Sequence, residues 1–143
     1  MKKLLLVFVI AALMLASCGG GTEPKPGATF TGPIRIGNDK ASSATIRFTI
    51  SEDGSTIKSV GVTLNNVKCG GMTAGTLSVS SGGDFKFSGG GLNISPSNIG
   101  VIKGRFTSPT EASGTVHLAL KLDVMGSTIS CELGTWNWGA EAP

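Results

Sequence analysis

The sequence predicts an all-β fold, in first place an antiparallel β-sandwich of about eight strands and in second place a barrel. From Ala28 onward, apolar and polar residues alternate in short runs, and no stretch has the apolar spacing of a helix. Clusters of Gly, Asn, Asp, Ser and Pro separate these runs, as turns separate the strands of a sheet. The 143-residue chain is long enough for one domain of ordinary size, which we place at residues 28–143.

Two strands and a tight turn are predicted at the start of this domain. Residues 30–36 form the first strand, which Pro33 breaks or places at a sheet edge because proline has no N–H to donate. Residues 45–50 alternate between apolar and polar side chains, so the second strand has one buried and one wet face. The Asp53-Gly54 pair that follows is typical of a tight hairpin turn.

The middle of the domain combines a long strand with a second hairpin. The apolar pattern of the long strand changes phase at residues 65–66, which directs Val67 and Cys69 towards the core and indicates a bulge. Residues 77–79 and 85–87 lie on either side of a Gly-Gly-Asp turn signal, and together they predict the second hairpin.

The C-terminal part of the domain carries the clearest alternation. Residues 99–106 form one strand, and residues 108–110 form the turn after it. Residues 115–124 alternate strictly and predict a long, half-buried strand. The Gly126-Ser127 pair fits a type II′ turn with glycine first, and the return strand then directs Cys131 inward.

The first seventeen residues have the pattern of an export signal. Lys2 and Lys3 precede about a dozen uncharged residues, a run too short for a membrane span of roughly 20 residues. The stretch Leu15-Ala16-Ser17-Cys18 resembles the lipobox of bacterial lipoproteins. This resemblance implies a lipoprotein signal peptide over residues 1–17 and a diacylglyceryl group on the sulfur of Cys18. The alternative is an ordinary signal peptide followed by an incidental cysteine.

The anchor predicts where the domain lies. Two acyl chains on Cys18 hold a protein stably on a membrane, whereas one chain gives only marginal binding. Residues 18–27 carry glycines and two prolines but no apolar side chain to bury, so they indicate a short flexible tether. We therefore expect an exported protein anchored to a bacterial membrane, in a diderm the outer membrane, at its periplasmic face or at the cell surface.

The chain contains three cysteines. With Cys18 assigned to the lipid by resemblance, Cys69 and Cys131 remain as a candidate disulfide in an oxidising compartment. A metal site is the alternative, but it needs more ligands than two cysteines and the single histidine, His117, readily supply. We expect no metal and no cofactor.

Neither the net charge nor the potentially reactive side chains indicate nucleic-acid binding or catalysis. The net charge of +3 includes Lys2 and Lys3, and no basic cluster remains without them. His117 faces outward on its strand. It is either a surface histidine without a functional role or a ligand or general base. Glu52 and Asp53 are adjacent acids in a predicted turn. The geometry of the turn accounts for their presence better than catalysis by paired carboxylates does. We therefore predict no catalytic residues and no enzyme.

Trp136 and Trp138 are two residues apart on the last strand, so their side chains share a face. Two aromatic rings on one face either close the core or form a platform on which sugars and apolar ligands stack. The chain has no tyrosine, which weakens the interpretation as a binding platform because recognition surfaces are usually rich in tyrosine.

The domain is similar to a diffuse set of bacterial exported proteins and lipoproteins without an assigned biochemical function. The similarity rests on residues 51–57, Cys69, residues 102–106, residues 112–115, Cys131 and residues 136–140. It implies a cross-link between the two cysteines and a place for the terminal tryptophan in the last strand. We expect a structural or binding module of the envelope, with an unidentified envelope protein or glycan as partner. The alternative is a small inhibitor or carbohydrate-binding module that uses a sheet face or the two tryptophans.

Overall fold

The computed structural model describes residues 22–35, 44–69 and 71–143. Its strands alternate with short turns, and the described residues contain no helix. In chain order, the strands are β1 (Thr29–Arg35), β2 (Ala44–Ile50), β3 (Thr56–Cys69), β4 (Met72–Lys86), β5 (Gly91–Ile94), β6 (Gly100–Ser108), β7 (Glu111–Val124) and β8 (Ser127–Glu141). The prediction of an all-β domain is confirmed.

The strands form one antiparallel sheet rather than two. Their order in the sheet is β4-β3-β2-β1-β8-β7-β6-β5, so the first strand pairs with the last and the sheet curls into a nearly closed barrel. The predicted sandwich is therefore wrong, and the second choice, a barrel, describes the shape. Alternating apolar residues predict that each strand has one buried face, which is equally true of a sandwich and of a barrel.

Side chains fill the inside of the barrel. The rings of Phe30 and Phe48 stack with centroids 5.0 Å apart, and Phe106 meets both of them edge-on. Trp138 contacts Phe48 at 5.8 Å, and Phe87 contacts Phe106 at 5.3 Å. Aromatic side chains bury the most apolar area per residue, so this cluster carries much of the stabilisation of the core.

Gly104 makes room for the ring of Trp138, and Gly114 lets β7 approach the backbone of β6. Gly104 and Gly114 lie directly opposite each other on β6 and β7, and Gly114 pairs with Trp138 on β8. A Cβ atom on Gly104 would lie 2.8 Å from Cζ2 of Trp138, and one on Gly114 would lie 1.9 Å from the carbonyl oxygen of Lys103. The ring therefore covers neighbouring backbone that no side chain shields.

Pro33 does not lie at a sheet edge, contrary to the prediction. β1 is a central strand, paired with β2 on one side and with β8 on the other. The β1–β8 register has partners for Thr31 and Ile34 but none for the two residues between them. There a Cβ atom on Gly32 would lie 1.8 Å from the carbonyl oxygen of Gly139. Pro33 lies in this gap of the β1–β8 ladder, where its missing N–H is tolerated in a central strand.

β3 and β4 form one long hairpin in place of the shorter strands expected. The apolar pattern of β3 changes face at residues 65–66, as predicted, and Asn66 has a positive φ of 55°. The pairing with β4 nevertheless keeps one register across this point, so no extra residue is inserted. The predicted turn around Gly83 is wrong: β4 runs through it, and the register shifts opposite residues 57–59 instead.

The hairpin of β7 and β8 turns one residue earlier than expected. Met125 and Gly126 are its central residues, with φ angles of 50° and 81°, which is the pattern of a type I′ turn rather than type II′. The register of the hairpin shifts once more, between Leu118 and Ala119. This shift determines which side chains of β8 meet His117.

The segment before β1 packs against the domain. Pro24 is buried, and the backbone N–H groups of Lys25 and Gly27 donate hydrogen bonds to the carbonyl oxygens of Pro109 and Ser51, at 2.8 and 2.9 Å. Residues 24–27, which the sequence assigned to the tether, therefore contact the domain through backbone hydrogen bonds.

The two ends of the sheet, β4 and β5, are not paired with each other. Asn98, in the connection between β5 and β6, crosses this seam and donates from Nδ2 to the carbonyl oxygen of Ser80, at 2.7 Å. Its Oδ1 is buried and has no partner among the described residues. A side chain thus helps to close the barrel where the backbone ladder stops.

Candidate functional site

The predicted lipid attachment residue, Cys18, lies outside the described residues, as do the signal peptide and the first part of the tether. The assignment of Leu15–Cys18 as a lipobox therefore remains a prediction from the sequence alone.

The predicted disulfide is present. Cys69 at the end of β3 and Cys131 on β8 are bonded, with their Cα atoms 5.4 Å apart and a sequence separation of 62. Both side chains are 5% exposed. The bond joins the β3–β4 hairpin to the β7–β8 hairpin, two parts of the sheet that share no ladder.

The tryptophan pair lies on the inner face of β8. Trp138 is 3% exposed, and its Nε1 donates to the carbonyl oxygen of Thr115 at 3.1 Å. Trp136 is half-buried against the same core, and its Nε1 donates to the carbonyl oxygen of Leu133 at 2.7 Å. Trp138 therefore contributes to the core, and its ring faces are not open to a ligand.

His117 takes part in a polar cluster that the sequence did not predict. Its Nε2 lies 2.5 Å from Oε1 of Glu132, and its Nδ1 lies 3.0 Å from Oγ1 of Thr135. The register shift beside Leu118 brings Glu132 within reach, and this shift follows from strand pairing rather than from residue spacing. Hydroxyl, imidazole and carboxylate also occur together in hydrolases, but there the carboxylate is buried. Here the side chain of Glu132 is 65% exposed, so we assign the cluster no catalytic role.

The acidic turn between β2 and β3 is structural. Oδ1 of Asp53 accepts hydrogen bonds from the hydroxyl groups of Ser51 and Ser55, at 2.5 and 2.7 Å, and from the N–H of Ser55. These bonds lower the pKa of Asp53 from 3.8 to about 2. Ser51 is buried, and its Oγ accepts the N–H groups of Ser55 and Thr56. The carboxylate thus organises the turn, as the sequence predicted.

The outer face of the barrel carries a groove of about 560 Å³ across β1, β8 and β7. The strand register explains its shape, because residues of the three strands lie side by side in rows. Gly139 is central, and a Cβ atom placed on it would meet nothing within 4 Å. Its φ is not in the left-handed region, so neither space nor backbone geometry requires glycine at this position. The missing side chain leaves the middle of the groove open.

One end of the groove is acidic. Glu111 on β7 is directly opposite Glu141 on β8, and Thr31 on β1 completes the row. Both glutamates are exposed, and neither forms an ion pair with any residue that the structure describes. Like charges directly opposite each other on neighbouring strands destabilise the sheet. No contact within the described part of the fold offsets that cost.

The other end of the groove carries a cation and an amide. Arg35 on β1 is directly opposite Asn137 on β8, and both are exposed. This row lies four residue steps along β1 from the acidic row, which corresponds to about 13 Å along the strand. The groove therefore has two polar ends of different charge, and Pro33, Gly139 and Ser113 line the floor between them.

Sequence reasoning did not identify the groove residues. Glu111, Gly139 and Arg35 lie far apart in the chain, and only the β1–β8 pairing places them on one surface. The alternation of β7 and β8 does predict that Glu111 and Gly139 face outward. Knowledge of the strand order would then have been sufficient to find the groove.

No group of three or more His, Cys, Asp or Glu residues within the described ranges is arranged to hold a metal ion. No helix in residues 22–35, 44–69 or 71–143 has the length and apolar character of a membrane span. Comparison of the chain with protein-family models, with curated proteins and with solved structures finds no significant match.

Proposed function

We propose that this protein is an exported lipoprotein of the bacterial cell envelope, attached to the membrane through Cys18, with a β domain that binds a partner and has no catalytic centre. The stretch Leu15-Ala16-Ser17-Cys18 is the sequence basis for the anchor. The disulfide between Cys69 and Cys131 supports an oxidising compartment, because such bonds rarely persist in the cytosol. It also leaves Cys18 as the cysteine that takes no part in the cross-link.

The groove on the outer face is the observation that carries the binding role. Its polar ends belong to strands held on both sides by neighbouring strands of the sheet, so a ligand would meet groups that are already in place. Gly139 leaves open a space that the fold does not need. A purely structural module has no reason to keep that space, or to keep beside it two glutamates that form no ion pair with any residue the structure describes.

The buried position of Trp138 argues against the alternative of a stacking platform for sugars. Stacking needs an exposed aromatic face, and this ring is 3% exposed. We therefore place the binding role on the groove rather than on the tryptophan pair.

Membrane fractionation tests the anchor. We expect the wild-type protein in the membrane fraction and Cys18→Ala in the soluble fraction. Ser17→Ala is the matched control, because it keeps a small residue before the cysteine and should leave the protein in the membrane. An unchanged distribution of Cys18→Ala would contradict the lipid anchor.

A second experiment tests the binding role. Soluble glycan and peptide fragments of the envelope are titrated against the full mature protein and against Gly139→Ile, which fills the groove. We expect saturable binding to the wild type and none to the variant. Equal binding to both proteins, or no binding to either, would contradict the role given to the groove.

A further inference from the structure

We propose that the groove binds a short zwitterionic chain, with an ammonium group at Glu111 and Glu141 and a carboxylate at Arg35. This inference rests on the proposed binding role and names the chemical class of the ligand. It does not depend on the lipid anchor.

The acidic end selects a cation. Glu111 and Glu141 face each other across β7 and β8 and form no ion pair within the described structure. An ammonium group placed between them would donate hydrogen bonds to both carboxylates and relieve their repulsion. Thr31, beside Glu141 in the same row, adds a hydroxyl group that can accept a hydrogen bond from the ammonium.

The opposite end selects an anion. The guanidinium of Arg35 can donate two parallel hydrogen bonds to one carboxylate, which gives it geometric selectivity for that group. Asn137, its partner across β1 and β8, adds an amide donor. Arg35 forms no ion pair among the residues that the structure describes.

The distance between the ends sets the length of the ligand. The two rows are about 13 Å apart along the strand, and a fully extended tetrapeptide has about the same length between its free ends. The floor between them is open at Gly139, so the middle of an extended chain can lie close to the sheet. A dipeptide is too short to reach both ends.

The experiment titrates tetra-alanine with free termini into the ¹⁵N-labelled mature protein and follows the amide signals by NMR. We expect saturable shifts at residues of the groove. N-acetylated tetra-alanine, C-amidated tetra-alanine and free dialanine should each bind about fivefold more weakly, the amount expected for one exposed charge interaction. The double variant Glu111→Gln/Glu141→Gln should lose the preference for the free amine, and Arg35→Gln the preference for the free carboxylate.

Gly139→Ile is the steric control. No atom lies within 4 Å of the added Cβ, so the domain should fold while the groove is filled and binding is lost. Gly75→Ile on β4 adds the same side chain at a second strand glycine with open surroundings and should bind as the wild type does. No shifts with tetra-alanine, or equal affinity for the blocked peptides, would overturn the zwitterion inference. Binding of envelope fragments that Gly139→Ile abolishes would still support the binding role, so the two claims can fail separately.

Discussion

Removal of the disulfide should be the most damaging change to the domain that leaves the groove untouched. The bond joins residues 62 positions apart. For a loop of this length, the chain-entropy model gives roughly 4 kcal/mol of stabilisation, because the cross-link restricts the unfolded chain. The total stability of a small domain is about 5–15 kcal/mol, so Cys69→Ala/Cys131→Ala loses a large part of it.

Urea denaturation followed by tryptophan fluorescence measures this loss. With a slope of about 2 kcal/mol per molar urea, the midpoint of the double variant should fall by about 2 M. A reducing agent should lower the midpoint of the wild type by a similar amount and leave the variant unchanged. A shift of less than about 0.5 M in both experiments would refute the entropic argument, because it corresponds to only about 1 kcal/mol at that slope.

Three further changes test other parts of the structure. Asp53→Asn should destabilise the domain at neutral pH, because the folded-state pKa of Asp53 is lowered from 3.8 to about 2. In acid-unfolding curves, the difference in stability between variant and wild type should be present above pH 4 and disappear as the pH falls towards 2. Gly32→Ala should cost about 3 kcal/mol in urea denaturation, because the new Cβ would lie 1.8 Å from a backbone oxygen of β8; a cost below 1 kcal/mol would show that the strands can separate there. Trp138→Phe should cost about 2 kcal/mol in the same assay, because it leaves a backbone carbonyl without its hydrogen-bond donor. Trp136 is only half-buried, so Trp136→Phe should cost about half as much. Equal costs would contradict the different burial of the two rings.

Most of the local structure of this fold can be predicted from the sequence. Strict alternation predicts the inward face of β7, and the Asp53-Gly54 and Pro109-Thr110 turns lie where their residue types indicate. These features depend on neighbouring residues, so they can be recognised within a window of a few positions. Cysteine counting likewise predicts the pair Cys69 and Cys131 once Cys18 is set aside.

The closure of the sheet could not be predicted in the same way. Nothing in the residues of β1 indicates that its second partner is β8, because the pairing depends on contacts more than a hundred residues apart, such as that of Ile34 with Trp138. The place of Pro33 in a central strand follows from a local gap in that pairing. The groove follows from it too, since its two ends come from strands that are distant in sequence.

The predicted turn positions were wrong where strand pairing, rather than residue type, determined the backbone geometry. The Gly-Gly-Asp signal at Gly83 predicted a turn, but β3 is long enough to keep β4 paired through it. Met125 occupies a left-handed position that usually favours glycine or asparagine. Its side chain is fully exposed at the tip of the hairpin, so the strand lengths rather than the residue type fix the turn there.

The intact mass of the protein extracted from membranes tests the central claim most directly. We predict a chain that begins at Cys18, carries a diacylglyceryl group there, and is lighter by two hydrogen atoms than the same chain with free thiols at Cys69 and Cys131. A mature chain that begins elsewhere and carries no lipid, or one with two free thiols, would contradict the account of an exported, lipid-anchored, cross-linked domain.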